Sequence, residues 1–239
     1  MLLLGLKSIK VKLNKMKIAI LTSKFGHGLK LRDPNIKFEN VDYFAFVDKT
    51  NNDCRIWNQV ESLDYSLDER FKDRRNAKIY KVMPHLFLPD YDYWFWVDLT
   101  HEVIMNPFEV IKNFLVDEEI GLWNHTSRKC IYQEADAVSL YGYDHKDLLD
   151  AQVQYYKNNG YPENNGLFEL PVSIRKNTEK IKILNLRWWE QICRFSSRDQ
   201  ISLPFVLWKT NIKPKILPGW ANGGFNQNSI MPQVRNKGE

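Results

Sequence analysis

The sequence predicts an α/β domain in which a mainly parallel sheet is covered by helices. Three observations carry this expectation. Strongly apolar runs occur at Lys17–Thr22, Tyr43–Asp48 and Tyr93–Asp98, and each ends in a polar residue. Stretches with helical spacing lie between and after them. Hydrophobic residues make up 44% of the 239 and charged residues 26%, which is enough apolar surface for one sizeable core. A short apolar run bounded by polar residues suits a strand buried on both faces. Strands alternating with helices pair in parallel through crossover connections.

The elements follow in order. Lys17–Thr22 is a first strand that feeds a loop holding Gly26 and Gly28, and Tyr43–Asp48 is a second. Asp68–Met83 has helical spacing and is closed by Pro84. Tyr93–Asp98 is a third strand and the most apolar of all. Asn106 and Pro107 open a helix that runs through Phe114. Ile120–Trp123 is a fourth strand, Asp144–Asn158 a helix broken by Gly160 and Pro162, and Val172–Arg175 a further strand. Leu186–Phe195 and Gln200–Trp208 are helical. Pro and Gly accumulate after Lys209, so a loop is expected there. The organisation predicted is one domain over residues 16–210, an amino-terminal extension over 1–15 and a loop-rich tail over 211–239.

The net charge is +5, from 34 Lys and Arg against 29 Asp and Glu. That balance suits an anionic partner. No basic block with interleaved aromatics stands out, which favours a nucleotide or phosphate ligand over a nucleic-acid polymer. Cys54, Cys130 and Cys193 are odd in number and form no C-x-x-C pair, so a reducing, cytoplasmic compartment is expected. The run Met1–Leu6 is too short to span a bilayer. Lys7–Lys17, basic with Ile9, Val11 and Leu13 spaced along it, suits either peripheral contact with an anionic membrane surface or a plain extension before Met16. The chain lacks a G-x-x-x-x-G-K-[ST] loop, a G-x-G-x-x-G turn, a G-x-S-x-G elbow and an H-E-x-x-H helix, which removes the common NTPase, dinucleotide, esterase and zinc-peptidase readings.

Ligands of such sheets sit at the carboxyl ends of the strands, where Thr22, Asp48 and Asp98 fall. Asp98 follows five apolar residues and must lie at the lip of the sheet, since an unpaired buried charge is very costly. It can hold a divalent metal with Thr100, or cap a turn. Arg75, Lys78 and Lys81 are spaced three apart on a predicted helix, either to receive a diphosphate or as a solvated face. His125, Arg128 and Glu134 cluster just past the fourth strand and could position sugar hydroxyls. Arg198 and Asp199 open an apolar helix, and Asp199 is a general base for an acceptor hydroxyl or a helix cap.

Taken in order, Arg75-x-x-Lys78-x-x-Lys81-x-x-Pro84-His85, Trp96-Val97-Asp98, His125-x-x-Arg128-x-Cys130-x-Tyr132-x-Glu134, Val172-x-Ile174-Arg175 and Arg198-Asp199-Gln200-Ile201-Ser202 resemble a glycosyltransferase family once classed as a domain of unknown function. Its members include plant mucilage and pollen proteins and bacterial relatives. More distantly the chain is similar to the GT-A sugar transferase of large algal viruses. The resemblance covers roughly residues 16 to 210. It implies a GT-A-like single domain, a nucleotide-sugar donor and transfer to a hydroxyl of a glycan or glycoconjugate. Members usually carry a small residue after the strand-ending Asp, where this chain has Leu99, and no His follows His145 to supply a late metal ligand.

These readings combine into one expectation. Thr22, Lys24 and Asp48 hold the nucleoside. Arg75, Lys78 and Lys81 neutralise the diphosphate, and Asp98 with Thr100 holds Mn²⁺ or Mg²⁺. Asp199 deprotonates the acceptor, giving single displacement with inversion. His125, Arg128, Glu134 and Arg198 face the acceptor sugar, and Trp123 with Trp188 or Trp189 stacks on sugar rings or belongs to the core. Two rivals stand beside it: a non-catalytic carbohydrate- or nucleotide-binding protein with a decayed metal site, and a sugar nucleotidyltransferase, for which Phe25-Gly26-His27-Gly28 is a poor signature.

Overall fold

A computed structural model describes residues 16–62, 64–219 and 221. The extension over 1–15, with its membrane-contact segment, and the tail from 222 onward lie outside the described residues. Seven strands form one sheet: β1 (Ile18–Lys24), β2 (Val41–Val47), β3 (Asn58–Glu61), β4 (Tyr93–Val97), β5 (Ile120–Asn124), β6 (Phe168–Lys176) and β7 (Lys215–Ile216). Their order is β3-β2-β1-β4-β6-β5-β7. The helices are α1 (Lys72–Val82), α2 (Pro84–Phe87), α3 (Pro107–Phe114), α4 (Ile131–Leu140), α5 (Lys146–Asn158), α6 (Glu179–Arg194) and α7 (Asp199–Thr210). The α/β class with a mainly parallel sheet is therefore the one expected. Among the described residues no helix is long and apolar enough to cross a membrane.

Four of the six pairings are parallel, and β6 runs against both its neighbours, β4 and β5. That reversal gathers the carboxyl ends of β1, β2, β4 and β5 and the amino end of β6 along one edge. Lys24 pairs with Val47, so Asp48 falls just past the end of β1. Val97 pairs with Val172, and Asp98 N–H donates to the Pro171 carbonyl at 2.7 Å.

Alternation along the strands sends side chains to two cores. Ala19, Leu21, Trp94 and Trp96 pack with Val82 of α1, Ala135 of α4, Trp188 of α6 and Phe205 of α7. Ile18, Ile20, Phe95, Val97 and Trp123 pack with Val110 and Ile111 of α3 on the other face. Trp123 and Trp188 are fully buried and bonded through Nε1 to the Pro218 carbonyl and Ser202 Oγ. Both are core residues and not sugar-stacking rings.

Three helices start away from their expected positions because polar side chains seize the backbone first. Asp68 accepts N–H bonds from Arg70 and Phe71, forming a turn that delays α1 to Lys72. Thr178 caps Ile181 N–H, so α6 begins at Glu179, about two turns before Leu186. Asp144 is drawn into bonds with Ser196 and Ser197, and α5 starts at Lys146. The helix α4 was not expected, although Ile131, Ala135 and Val138 are buried at helical spacing. Its Gln133, Glu134 and Asp136 broke up the apolar run.

Arg175 of β6 is wholly buried. Its guanidinium donates to the carbonyls of Lys81 and Val82 at the carboxyl end of α1, and to Asn185 Oδ1. A cation on the last carbonyls of a helix is favoured by their partial negative charge. Arg175→Ala should lower the unfolding free energy by about 3–5 kcal/mol, since it strands those carbonyls and leaves a cavity. Urea denaturation measures this, and a loss below about 1 kcal/mol would show that the α1 terminus is held by something else.

Candidate active site

The edge where the strands end carries a polar cavity of about 200 Å³ lined by Lys78, Lys81, Asp98, Thr100, Arg198 and Asp199, among others. Lys78 and Lys81 reach it from α1, which lies over β1. Asp199 is the first residue of α7, where a carboxylate is favoured by the helix amino terminus. Its Oδ2 accepts from Lys78 Nζ at 2.8 Å and lies 2.5 Å from Lys81 Nζ. Lys81 is 2% exposed. Its ammonium lies over the Trp96 ring, 5.5 Å from the centroid, donates to the Leu170 carbonyl at 2.6 Å and sits 3.5 Å from Asp98 Oδ1.

Burial works against a charged Asp199, but the ammonium groups of Lys78 and Lys81 outweigh it and hold the carboxyl far below the usual range. Burial also dominates at Lys78 and pulls its ammonium down to about 8, against the attraction of Asp199. The cluster therefore combines one buried and one partly buried cation with one buried anion.

Asp98 accepts from Trp96 Nε1 at 2.6 Å through the oxygen nearest Lys81. The Thr100 hydroxyl bonds His101 Nδ1 at 2.7 Å, and His101 Nε2 bonds the Ala221 carbonyl at 2.9 Å. A carbonyl can only accept, so Nε2 carries the proton and Thr100 is the donor to Nδ1. Among the described residues no group of three or more His, Cys, Asp or Glu converges to hold a metal ion. The expected Asp98–Thr100 pair offers one carboxylate, beside a buried ammonium, and a neutral hydroxyl. This donor set does not fit Mn²⁺ or Mg²⁺, which bind through several oxygens and carboxylate charge.

The other expected residues fall into three places. Arg75 turns away from the cavity: its Nε donates to Asp68 at 2.8 Å, and it reaches the carbonyls of Ile192 and Phe195. Lys24 and Asp48 form an ion pair at 3.0 Å, and Asp48 accepts Gly26 N–H at 2.6 Å, so the pair shapes the loop after β1. Thr22 is buried near them, and its hydroxyl has no hydrogen-bond partner among the described residues. His125, Arg128 and Glu134 do come together, with Arg128 Nε donating to Glu134 at 2.6 Å and His125 Nε2 3.8 Å from it. His125 Nδ1 accepts the N–H groups of Ser127 and Arg128, and burial pulls the ring's pKa down. Thr126 binds Glu169, buried at the amino end of β6.

A second cavity shares His101 with the first and lies against Ile20, Tyr43, Trp57 and Val97, with Arg32, Asp33 and Asn35 as its wall. That wall is pinned: Glu102 accepts from Asn35, Asp33 accepts from Arg55 and Ile56, and Trp57 Nε1 donates to the Arg32 carbonyl. Sequence reasoning missed it, because residues 30–38 carry no periodic apolar signal.

The chain is similar in sequence to known proteins. The family model described as TOD1/MUCI70, glycosyltransferase-like domain, matches residues 6–218. A protein of Arabidopsis thaliana described as "Probable hexosyltransferase MUCI70" is 28% identical over 193 residues, covering 70% of this chain and 32% of that protein. The chain thus spans about a third of the length of that curated relative. Among solved structures, the apo form of mouse xyloside xylosyltransferase 1 matches with a TM-score of 0.47 and 12% identity, over 84% of each chain.

The lysine–aspartate cluster has a measurable consequence for stability. Asp199→Asn leaves the buried Lys81 and the partly buried Lys78 ammonium groups without their anion and should cost about 3–5 kcal/mol. The folded-state pKa of Asp199 is depressed, so its contribution is complete above the unfolded carboxylate value near pH 4 and fades as pH falls below it. Denaturation of both proteins should therefore show a deficit that is constant from about pH 5 to 7 and shrinks below about pH 4. A deficit independent of pH would mean that Asp199 acts through packing alone.

Proposed function

The chain belongs to the TOD1/MUCI70 glycosyltransferase-like family, and from that premise we propose that it moves a sugar from a nucleoside-diphosphate sugar to a hydroxyl of a glycan or glycoconjugate. The observation that carries this reading is the pair of ammonium groups, Lys78 partly buried and Lys81 buried, at the edge where the parallel strands end. Sugar transfer from such a donor releases a diphosphate, and fixed cations that meet the developing charge lower the barrier. The neighbouring cavity by Tyr43 and Trp57 has aromatic walls suited to the nucleoside, and His101 joins the two compartments.

Asp199 remains the proposed base, under a condition set by its partners. While Lys78 and Lys81 hold it, its affinity for a proton is too low for effective base catalysis. A diphosphate that draws the ammonium groups toward itself raises that affinity, so that donor binding readies the carboxylate for the acceptor hydroxyl. The proton goes from the hydroxyl to Asp199, the hydroxyl oxygen bonds the anomeric carbon, and the bond to the diphosphate breaks with both electrons leaving on the phosphate. His125, Arg128 and Glu134 stand on the acceptor side.

Calorimetric titration with UDP, GDP, ADP and CDP tests the donor site. At least one should bind, with an affinity that EDTA changes by less than about threefold, because lysines supply the charge. Lys78→Ala should weaken it by about 1.5–3 kcal/mol. Lys78 loses its charge as pH rises through about 8, with Asp199, Lys81 and Asp98 as the charges facing it, so affinity should be full below that value and decline above it. Lys78→Arg should flatten the decline, since a guanidinium stays charged there. Strict dependence on Mn²⁺ would overturn the lysine assignment.

Asp199→Asn should strengthen diphosphate affinity in protein shown to be folded, since the competing carboxylate charge is gone, while sugar transfer falls by roughly two to four orders of magnitude. Donor consumption in the presence of acceptor measures this, and retained turnover would move the base to Glu134 or Glu169.

A further inference from the structure

The turn between α4 and α5 presents two tyrosine rings to solvent: Tyr141 is 65% exposed and Tyr143 49% exposed. Their centroids are 5.6 Å apart, with the ring planes inclined by 31°. Neither ring belongs to the core clusters, so burial in this chain does not account for them.

The turn that carries them is held from several sides. Gly142 has φ +62, a left-handed conformation that a glycine adopts without strain. Arg70 and Arg74 of the α1 region donate to the carbonyls of Gly142 and Tyr143. Asp144, which is buried, accepts from Ser196 Oγ, Ser197 N and Ser197 Oγ. These last bonds tie the tyrosine turn to the segment that leads directly into Arg198 and Asp199. The rings are thus exposed on a backbone that is fixed.

Arg198 connects the rings to the polar cavity. Its guanidinium lies 5.7 Å from the Tyr143 ring centroid, and the same residue lines the cavity with Lys78 and Asp199. Its Nε is buried and has no hydrogen-bond partner among the described residues. An aromatic face, an unfilled guanidinium donor and a carboxylate follow one another from the surface inward.

We propose that Tyr141 and Tyr143 form the platform for the acceptor glycan. Pyranose rings lie with their C–H faces on the tyrosines, and the accepting hydroxyl is directed past Arg198 toward Asp199. Aromatic rings give such contacts a large area at a small cost in conformational freedom, more so where the backbone is already fixed. The inference rests on the reading of the cavity as a sugar-transfer site.

Saturation-transfer NMR on the full chain, with cellohexaose, xylohexaose, mannohexaose and β-1,4-galactohexaose as probes, tests the platform, and a nucleoside-diphosphate titration is run on the same samples. At least one hexaose should receive saturation at its ring protons. The Tyr141→Ser, Tyr143→Ser double variant should weaken that binding by about tenfold or more, the double Phe variant should keep it, and both should leave diphosphate affinity and Tm unchanged. The platform is overturned if no hexaose binds a protein that binds the diphosphate, or if binding is indifferent to the loss of both rings. Tyrosine-dependent hexaose binding without diphosphate binding would instead uphold the platform and remove the donor-site reading.

Discussion

The ammonium groups of Lys78 and Lys81 can share one cavity because Asp199 lies between them, 2.8 and 2.5 Å away. Removing three charges from water is expensive, and the attraction recovers that cost only when geometry is held closely. Much of the surrounding structure supplies that geometry. Arg175 fixes the end of α1 from which Lys81 projects, and the Leu170 carbonyl takes one of its protons. Asp144 fixes Ser196 and Ser197, the residues that lead into α7 and its Asp199. The cluster is one positive charge in excess, which Asp98 at 3.5 Å from Lys81 only partly offsets. That imbalance is poor for stability and well suited to an incoming anion.

The sheet topology brings these parts to one edge. With β6 antiparallel between β4 and β5, Leu170 and Pro171 meet Asp98 at the rim, and Glu169 meets the segment after β5. One rim therefore joins the aromatic cavity, the lysine pair and the His125–Arg128–Glu134 group.

Much of this was legible in the sequence. The apolar runs ending at Thr22, Asp48 and Asp98 fall on β1, β2 and β4, which are neighbours in the sheet. The spacing of Lys78 and Lys81 placed both on one face of α1, as found. Arg75 escaped that pattern for a geometric reason: each step of three residues rotates about 60° around a helix, so two steps carry it roughly 120° from Lys81, toward Asp68. The partnership of Lys78 and Lys81 with Asp199 could not be read, because the partners are more than a hundred residues apart. The helix α4 was hidden because Gln133, Glu134 and Asp136 interrupt its apolar positions, and the wall at Arg32–Asn35 because its bonds are to residues distant in the chain. At Asp98 the sequence left metal and turn open. What the structure adds there is Lys81, 3.5 Å from that carboxylate and a neighbour in space alone.

A crystal structure of the chain with a bound nucleoside diphosphate, grown in EDTA, tests the central claim most directly. The account predicts phosphate oxygens within hydrogen-bond distance of Lys78 and Lys81 Nζ, and a lengthened contact from both ammonium groups to Asp199. A diphosphate seated elsewhere on the sheet edge, with the lysine–aspartate cluster unchanged, would contradict it.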